Sequence, residues 1–206
     1  MVGKKQKKAK SDGSSAKETE IKNEVKSPET KNSKEKVEAI FLKDIVKADF
    51  EGAAKENYDS GRFGEYKDNE ILYSLVEAMF LLEKGKMNVM SSGKDLDVKG
   101  FMKNAIKSEP NFWVKYCVFK DMRTRGYVIK TALKFGADFR VYERGVKPGE
   151  DHAKWILYPV SEGSTLTWHE FSSKNRVAHS TRKKLLIGAV DNEGDVTYWQ
   201  VNWIRP

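Results

Sequence analysis

Two runs constrain this chain more than any other part of it: AKWILYPV at residues 153–160 and RKKLLIGAV at 182–190. The first is apolar on both faces, the pattern of a central strand covered from each side. The second reads as another buried strand. Pro159 is expected to terminate the first, because proline has no N–H to offer a ladder. Upstream, Asp138 to Glu143 alternates, with Phe139 and Val141 on one face and Arg140 and Tyr142 on the other. Gly145, Pro148 and Gly149 punctuate the loop that follows. If the flanking runs are neighbours in one sheet, Tyr142 and His152 project near the same end of it. Lys183 and Lys184 stand at the head of the later run.

The rest of the chain supplies mixed helices and strands, so the fold class is α/β (α+β). VEAIFLKDIVKAD at 37–49 reads as a strand. The polar stretch 51–69 reads as loop with a short hairpin. Ile71, Leu72, Leu75, Val76, Met79, Phe80 and Leu82 recur at helical spacing. Residues 87–92 form a short strand and 96–108 a short helix. Pro110 opens a longer helix that Gly126 ends. STLTWHEF at 164–171 reads as a strand, with Ser172 or Ser173 capping a short helix after it. Asp191 to Asp195 is an Asx-Gly turn, and 196–206 returns as the last strand.

Residues 1–36 carry 11 lysines against 6 acids and no aromatic residue. Such a segment cannot bury enough surface to offset an ordering cost of roughly 1–2 kcal/mol per residue. It is expected to be a disordered lysine-rich tail, either solubilising or tethering RNA through counterion release. The remainder, 27 bases against 24 acids, is only mildly basic, so overall charge does not argue for nucleic acid. The single cysteine, Cys117, excludes a disulfide framework and points to a reducing, cytoplasmic setting. No apolar run reaches 18 residues and no secretory leader is legible, so no membrane association is expected.

A phenol, an imidazole and an amine at three strand ends suit attack of an RNA 2′-hydroxyl on its own adjacent phosphate. An imidazole, with an ordinary pKa of about 6.5, serves as the acid for the leaving 5′-oxygen. A phenol, with an ordinary pKa near 10, is a base only if cations lower it; Arg140, Arg144, Lys183 and Lys184 are the cations available. An ammonium stabilises the charge that develops on phosphorus. By residue type, His169 and His179 compete with His152. A metal-dependent nuclease would instead use Asp138, Glu150, Asp151 and Lys154, converging on one ion.

KFGADFRVYERGVKPGEDHAKWILYPV and RVAHSTRKKLLIGAV resemble the two catalytic blocks of the archaeal-type tRNA-splicing endonuclease family. The resemblance is strong over 127–206, looser over 37–125 and absent over 1–36. It implies a small mixed α/β amino-terminal domain at 37–109. A restriction-endonuclease-like catalytic domain with a mixed sheet follows at 110–206, with helix 110–125 as connector. It also implies metal-independent cleavage of precursor tRNA at bulge–helix–bulge junctions, leaving 2′,3′-cyclic phosphate and 5′-hydroxyl ends. Tyr142 matches the general base, His152 the general acid and Lys183 the transition-state stabiliser. Arg176 and Trp203 match the pair that grips an unpaired bulge base. Asp191, Glu193 and Asp195 match an acidic loop that inserts into another subunit. Four subunits are implied, either all of this chain or including a second, non-catalytic kind. No cofactor and no metal are called for. A non-catalytic structural subunit is the remaining alternative, although this chain retains all three residue types.

Overall fold

The computed structural model describes residues 35–132 and 136–204; the reading of 1–34 lies outside the described residues. The first strand region is a hairpin rather than one strand: β1 (Val37–Leu42) pairs antiparallel with β2 (Ile45–Asp49). Lys43 takes a left-handed φ of 45° at the turn, and no glycine or proline announces it. The following polar stretch is a helix, α1 (Gly52–Gly61), which buries Ala53 and Ala54. Two alanines make too small an apolar face for helical periodicity to register. Next, β3 (Glu65–Lys67) and β4 (Glu70–Ser74) form a hairpin. Asp68 and Asn69, at φ 51° and 64°, give its tight turn the positive angles it needs.

β4 removes Ile71 and Leu72 from the helix that spacing predicts, since burial along it alternates. The helix proper, α2, is Leu75–Glu83. Its boundary is chemical: the Glu77 carboxylate accepts from both the Ser74 N–H at 3.1 Å and its hydroxyl at 2.8 Å. Then come β5 (Met87–Ser91), β6 (Lys94–Asp95), α3 (Val98–Ser108) and α4 (Phe112–Thr124). The first sheet has the order β3-β4-β2-β1-β5-β6, parallel only between β1 and β5.

The second sheet contains β7 (Ile129–Ala132), β8 (Ala137–Val141), β9 (Trp155–Ser161), β10 (Lys184–Val190) and β11 (Val196–Val201), ordered β11-β10-β9-β8-β7. β9 is the central strand. It runs antiparallel to β8 and parallel to β10. It also continues two residues beyond Pro159: pairing with β8 has already stopped at Leu157, while pairing with β10 runs on to Ser161. Between β9 and β10 lies α5 (Trp168–Ser180). The strand expected over 164–171 is therefore wrong, as is a cap at Ser172 or Ser173. Thr167 caps the helix, accepting from the Glu170 N–H at 3.2 Å while Glu170 accepts from the Thr167 N–H at 2.8 Å. Both groups face solvent, and this local pairing outweighs the β-type composition of the stretch.

One apolar core runs through both sheets, with α4 between them; Phe119 meets Phe80 on one side and Phe139 on the other. Gly188 lets α4 close on β10, because a Cβ there would stand 3.1 Å from the Val118 side chain. On the opposite face of the second sheet, Ile156, Tyr158 and Leu185 bury Ala178 of α5. A buried polar knot joins the sheets. The Lys130 ammonium donates to the carbonyls of Arg62 and Gly64 and, at 2.8 Å, to the Glu77 carboxylate. Burial alone would raise the Glu77 pKa, but Lys130, the Ser74 hydrogen bond and Arg123 together hold it below the usual carboxylate range.

Candidate active site

Three strand ends converge at one end of the second sheet. Tyr142 directly follows β8 and is anchored by its N–H to the Val128 carbonyl at 2.9 Å. The loop beyond it turns at Gly145 and Gly149, both at positive φ, with a bridge between Pro148 and Asp151. It delivers His152 just ahead of β9. Lys183 is set by the end of α5. Its N–H reaches the Ala178 carbonyl while that of Arg182, in a left-handed conformation, reaches His179. This is the double hydrogen bond of a Schellman ending, with arginine where glycine is usual. It turns the chain directly from helix into β10.

Tyr142, His152 and Lys183 line one cleft of about 420 Å³, together with Arg140, Gly149, Glu150, Asp151 and Ala153. Tyr142 is buried, His152 exposed and Lys183 half-buried. The Lys183 ammonium also donates to the Thr181 carbonyl at 2.9 Å. Lys184 begins the strand proper and is exposed. The competing histidines are elsewhere: His169 lies in the first turn of α5, and His179 packs against the Trp203 ring with centroids 4.5 Å apart. The lone cysteine is no rival nucleophile, since burial pushes the Cys117 thiol up to about 11.

The metal-nuclease set does not assemble. Asp138 pairs with Lys115 at 2.7 Å in a separate cavity, and Lys154 pairs with Glu143. Only Glu150 and Asp151 of that set line the cleft. Among the described residues, no three His, Cys, Asp or Glu side chains are placed to hold a metal ion.

Arg176 is exposed on α5, one turn from His179 and hence on the side of the helix that meets Trp203. Trp203 is 51% exposed, so its indole is not consumed by the core. His179 is the residue here that sequence reasoning placed only as a catalytic competitor. In the acidic turn, Asp191 accepts from the N–H groups of Glu193 at 3.0 Å and Asp195 at 2.8 Å. Its carboxylate holds the turn in shape, while the side chains of Glu193 and Asp195 are exposed. Gly194 lets the turn lie against Trp113 and Cys117 of α4.

In class, this is a mixed α/β protein with a cleft lined by Tyr142, His152 and Lys183 at one end of its second sheet. The family model for the tRNA intron endonuclease N-terminal domain matches residues 37–102, and that for the catalytic C-terminal domain matches 112–198. A tRNA-splicing endonuclease of Thermococcus onnurineus is 36% identical over 172 residues, covering 84% of this chain and 99% of that protein. One from Nanoarchaeum equitans is 46% identical over 138 residues, covering 64% and 88%. One from Methanothermobacter thermautotrophicus is 36% identical over 171 residues, covering 83% and 99%. The chain belongs to the tRNA intron endonuclease family. Among the described residues, no helix is long and apolar enough to cross a membrane.

Proposed function

We propose that this chain cuts intron-containing precursor tRNA at bulge–helix–bulge junctions, by attack of the 2′-hydroxyl on the adjacent phosphate and without a metal ion. The observation that supports this most directly is the single cleft shared by Tyr142, His152 and Lys183. Tyr142, as phenolate, takes the 2′-hydroxyl proton. The bond from the 2′-oxygen to phosphorus forms as that to the 5′-oxygen breaks. His152, as imidazolium, gives its proton to the departing 5′-oxygen. Lys183 stabilises the charge that builds on the phosphoryl oxygens. The products are a 2′,3′-cyclic phosphate and a 5′-hydroxyl.

Arg176 and Trp203 serve as the two flat surfaces around an unpaired bulge base; stacking of this kind is worth roughly 1–3 kcal/mol per base. Their placement on one side of α5 supports the pairing. The acidic turn and the β11 edge serve assembly into a dimer or tetramer, with a second kind of subunit as the variant form. β11 is an edge strand carrying Trp199 at 54% exposure, and such an edge favours pairing with another strand. The test is a cleavage assay on precursor tRNA in excess chelator, with end-group analysis of the fragments. Expected are the two stated ends at an undiminished rate. Loss of activity in chelator, or 3′-hydroxyl ends, overturns the mechanism; no cleavage by the full assembly supports a structural subunit instead.

A further inference from the structure

We infer that Arg140 is a fourth catalytic residue, whose guanidinium holds a non-bridging oxygen of the scissile phosphate. This rests on the proposed RNA cleavage and names a further contact in the same cleft. Arg140 lies two residues before Tyr142 on β8, so strand alternation sends both side chains to the same side of the sheet. Both line the cleft with His152 and Lys183. The Arg140 Nε is buried and has no hydrogen-bond partner. Buried guanidinium donors are ordinarily satisfied by a carboxylate. Two carboxylates line this cleft, yet neither satisfies the Nε, and each has one oxygen on backbone. Glu150 accepts from the Lys147 N–H at 3.0 Å, and Asp151 from the His152 N–H at 2.6 Å.

A planar fork of donors held beside a general base, with its Nε unsatisfied, suits a tetrahedral anion. The anion that the proposed reaction brings into this cleft is the phosphodiester being cut. Lys183 approaches from the β10 end and Arg140 from within β8, so the two cations reach the phosphate from different strands. The division of labour differs as well. The ammonium is a point charge, whereas the guanidinium sets the orientation of the phosphate against the 2′-oxygen.

The test compares single-turnover cleavage of precursor tRNA by the full wild-type chain with Arg140→Ala and Arg140→Lys. Arg140→Ala is expected to lose roughly 100–1,000-fold in rate, the usual effect of removing one transition-state donor, with substrate affinity retained. Added guanidinium ion should restore part of that rate, and urea at the same concentration should not. Arg140→Lys should fall between the two, which keeps the test available should the alanine variant fold poorly. Either variant cleaving at the wild-type rate overturns the inference, as does a loss that guanidinium ion cannot relieve. No cleavage by the full wild-type assembly removes the parent reading and this one together, whereas wild-type cleavage with an unaffected Arg140 variant removes this one alone, which separates the two failures.

Discussion

At the residue scale, the cleft and the buried knot make opposite demands on charge. The cleft leaves His152 exposed and Lys183 half-buried, with Tyr142 buried in its wall. Tyr142→Phe, His152→Ala and Lys183→Ala are each expected to slow cleavage by about 100–10,000-fold while leaving RNA affinity near wild type, measured by gel-based cleavage and equilibrium binding. A variant retaining full activity would be struck from the site. The knot between Lys130 and Glu77 is sealed, with both side chains under 10% exposed. Replacing Lys130 with Met strands a buried carboxylate and should cost about 3–5 kcal/mol in denaturant unfolding. The acid response follows from the lowered Glu77 pKa. An unfolded glutamate titrates near 4.3, above the folded value, so the stabilisation is complete above that pH and drains as pH falls through the folded pKa. Glu77→Gln should melt lower than wild type at neutral pH yet show a flatter loss below about pH 4. Parallel acid limbs for the two proteins would show that Glu77 does not govern this response.

At the scale of elements, α5 carries both ends of the functional argument: Arg176 and His179 along its length, and Lys183 at its exit. Its start depends on two solvent-facing side chains, Thr167 and Glu170. Thr167→Ala should cost about 1 kcal/mol, read from urea unfolding of the full chain, and raise amide exchange in the first turn. An unchanged midpoint would mean that burial of Ala178 against β9 and β10 alone holds the helix. The sequence TWHE after Leu166 contains this cap, since threonine followed three residues later by glutamate marks a helix start. Its aromatic and β-branched neighbours drew the strand reading instead. The same competition misplaced β4, where Ile71 and Leu72 fit a helical stripe and a strand equally well over so short a run. Gly188 is the element-scale counterpart in the core. Gly188→Val would press on Val118 and Tyr198 and should cost about 1–3 kcal/mol through overpacking.

For the whole molecule, three exposed features lie on or next to the second sheet: the β11 edge with Trp199, the Trp203 face beside α5, and the acidic turn ahead of β11. Self-association would account for the β11 edge and the acidic turn, while the Trp203 face serves the bulge base. Light scattering of the chain alone is expected to give a mass above that of the monomer. Reversing both Glu193 and Asp195 to Lys should lower it, because these carboxylates point outward while Asp191 is held within its turn. A monomeric wild-type chain that cleaves precursor tRNA would end the assembly proposal.

The local sequence by itself determined the central strands and their order of importance. A run apolar on both faces has no stable place except between two layers, so β9 and β10 were legible from hydrophobicity alone. The terminal turn and α3 and α4 were legible for similar reasons of spacing and capping. Only the tertiary structure decided which cations and acids share a space. Asp138, Glu150, Asp151 and Lys154 lie within 17 residues of one another in sequence, yet Asp138 is drawn to Lys115 on α4 and Lys154 to Glu143. Arg140 was one basic residue among several until the sheet turned it into the cleft with its Nε unpartnered. Chain spacing sets the face on which a side chain starts; which partner captures its charge depends on elements that fold in from far along the chain.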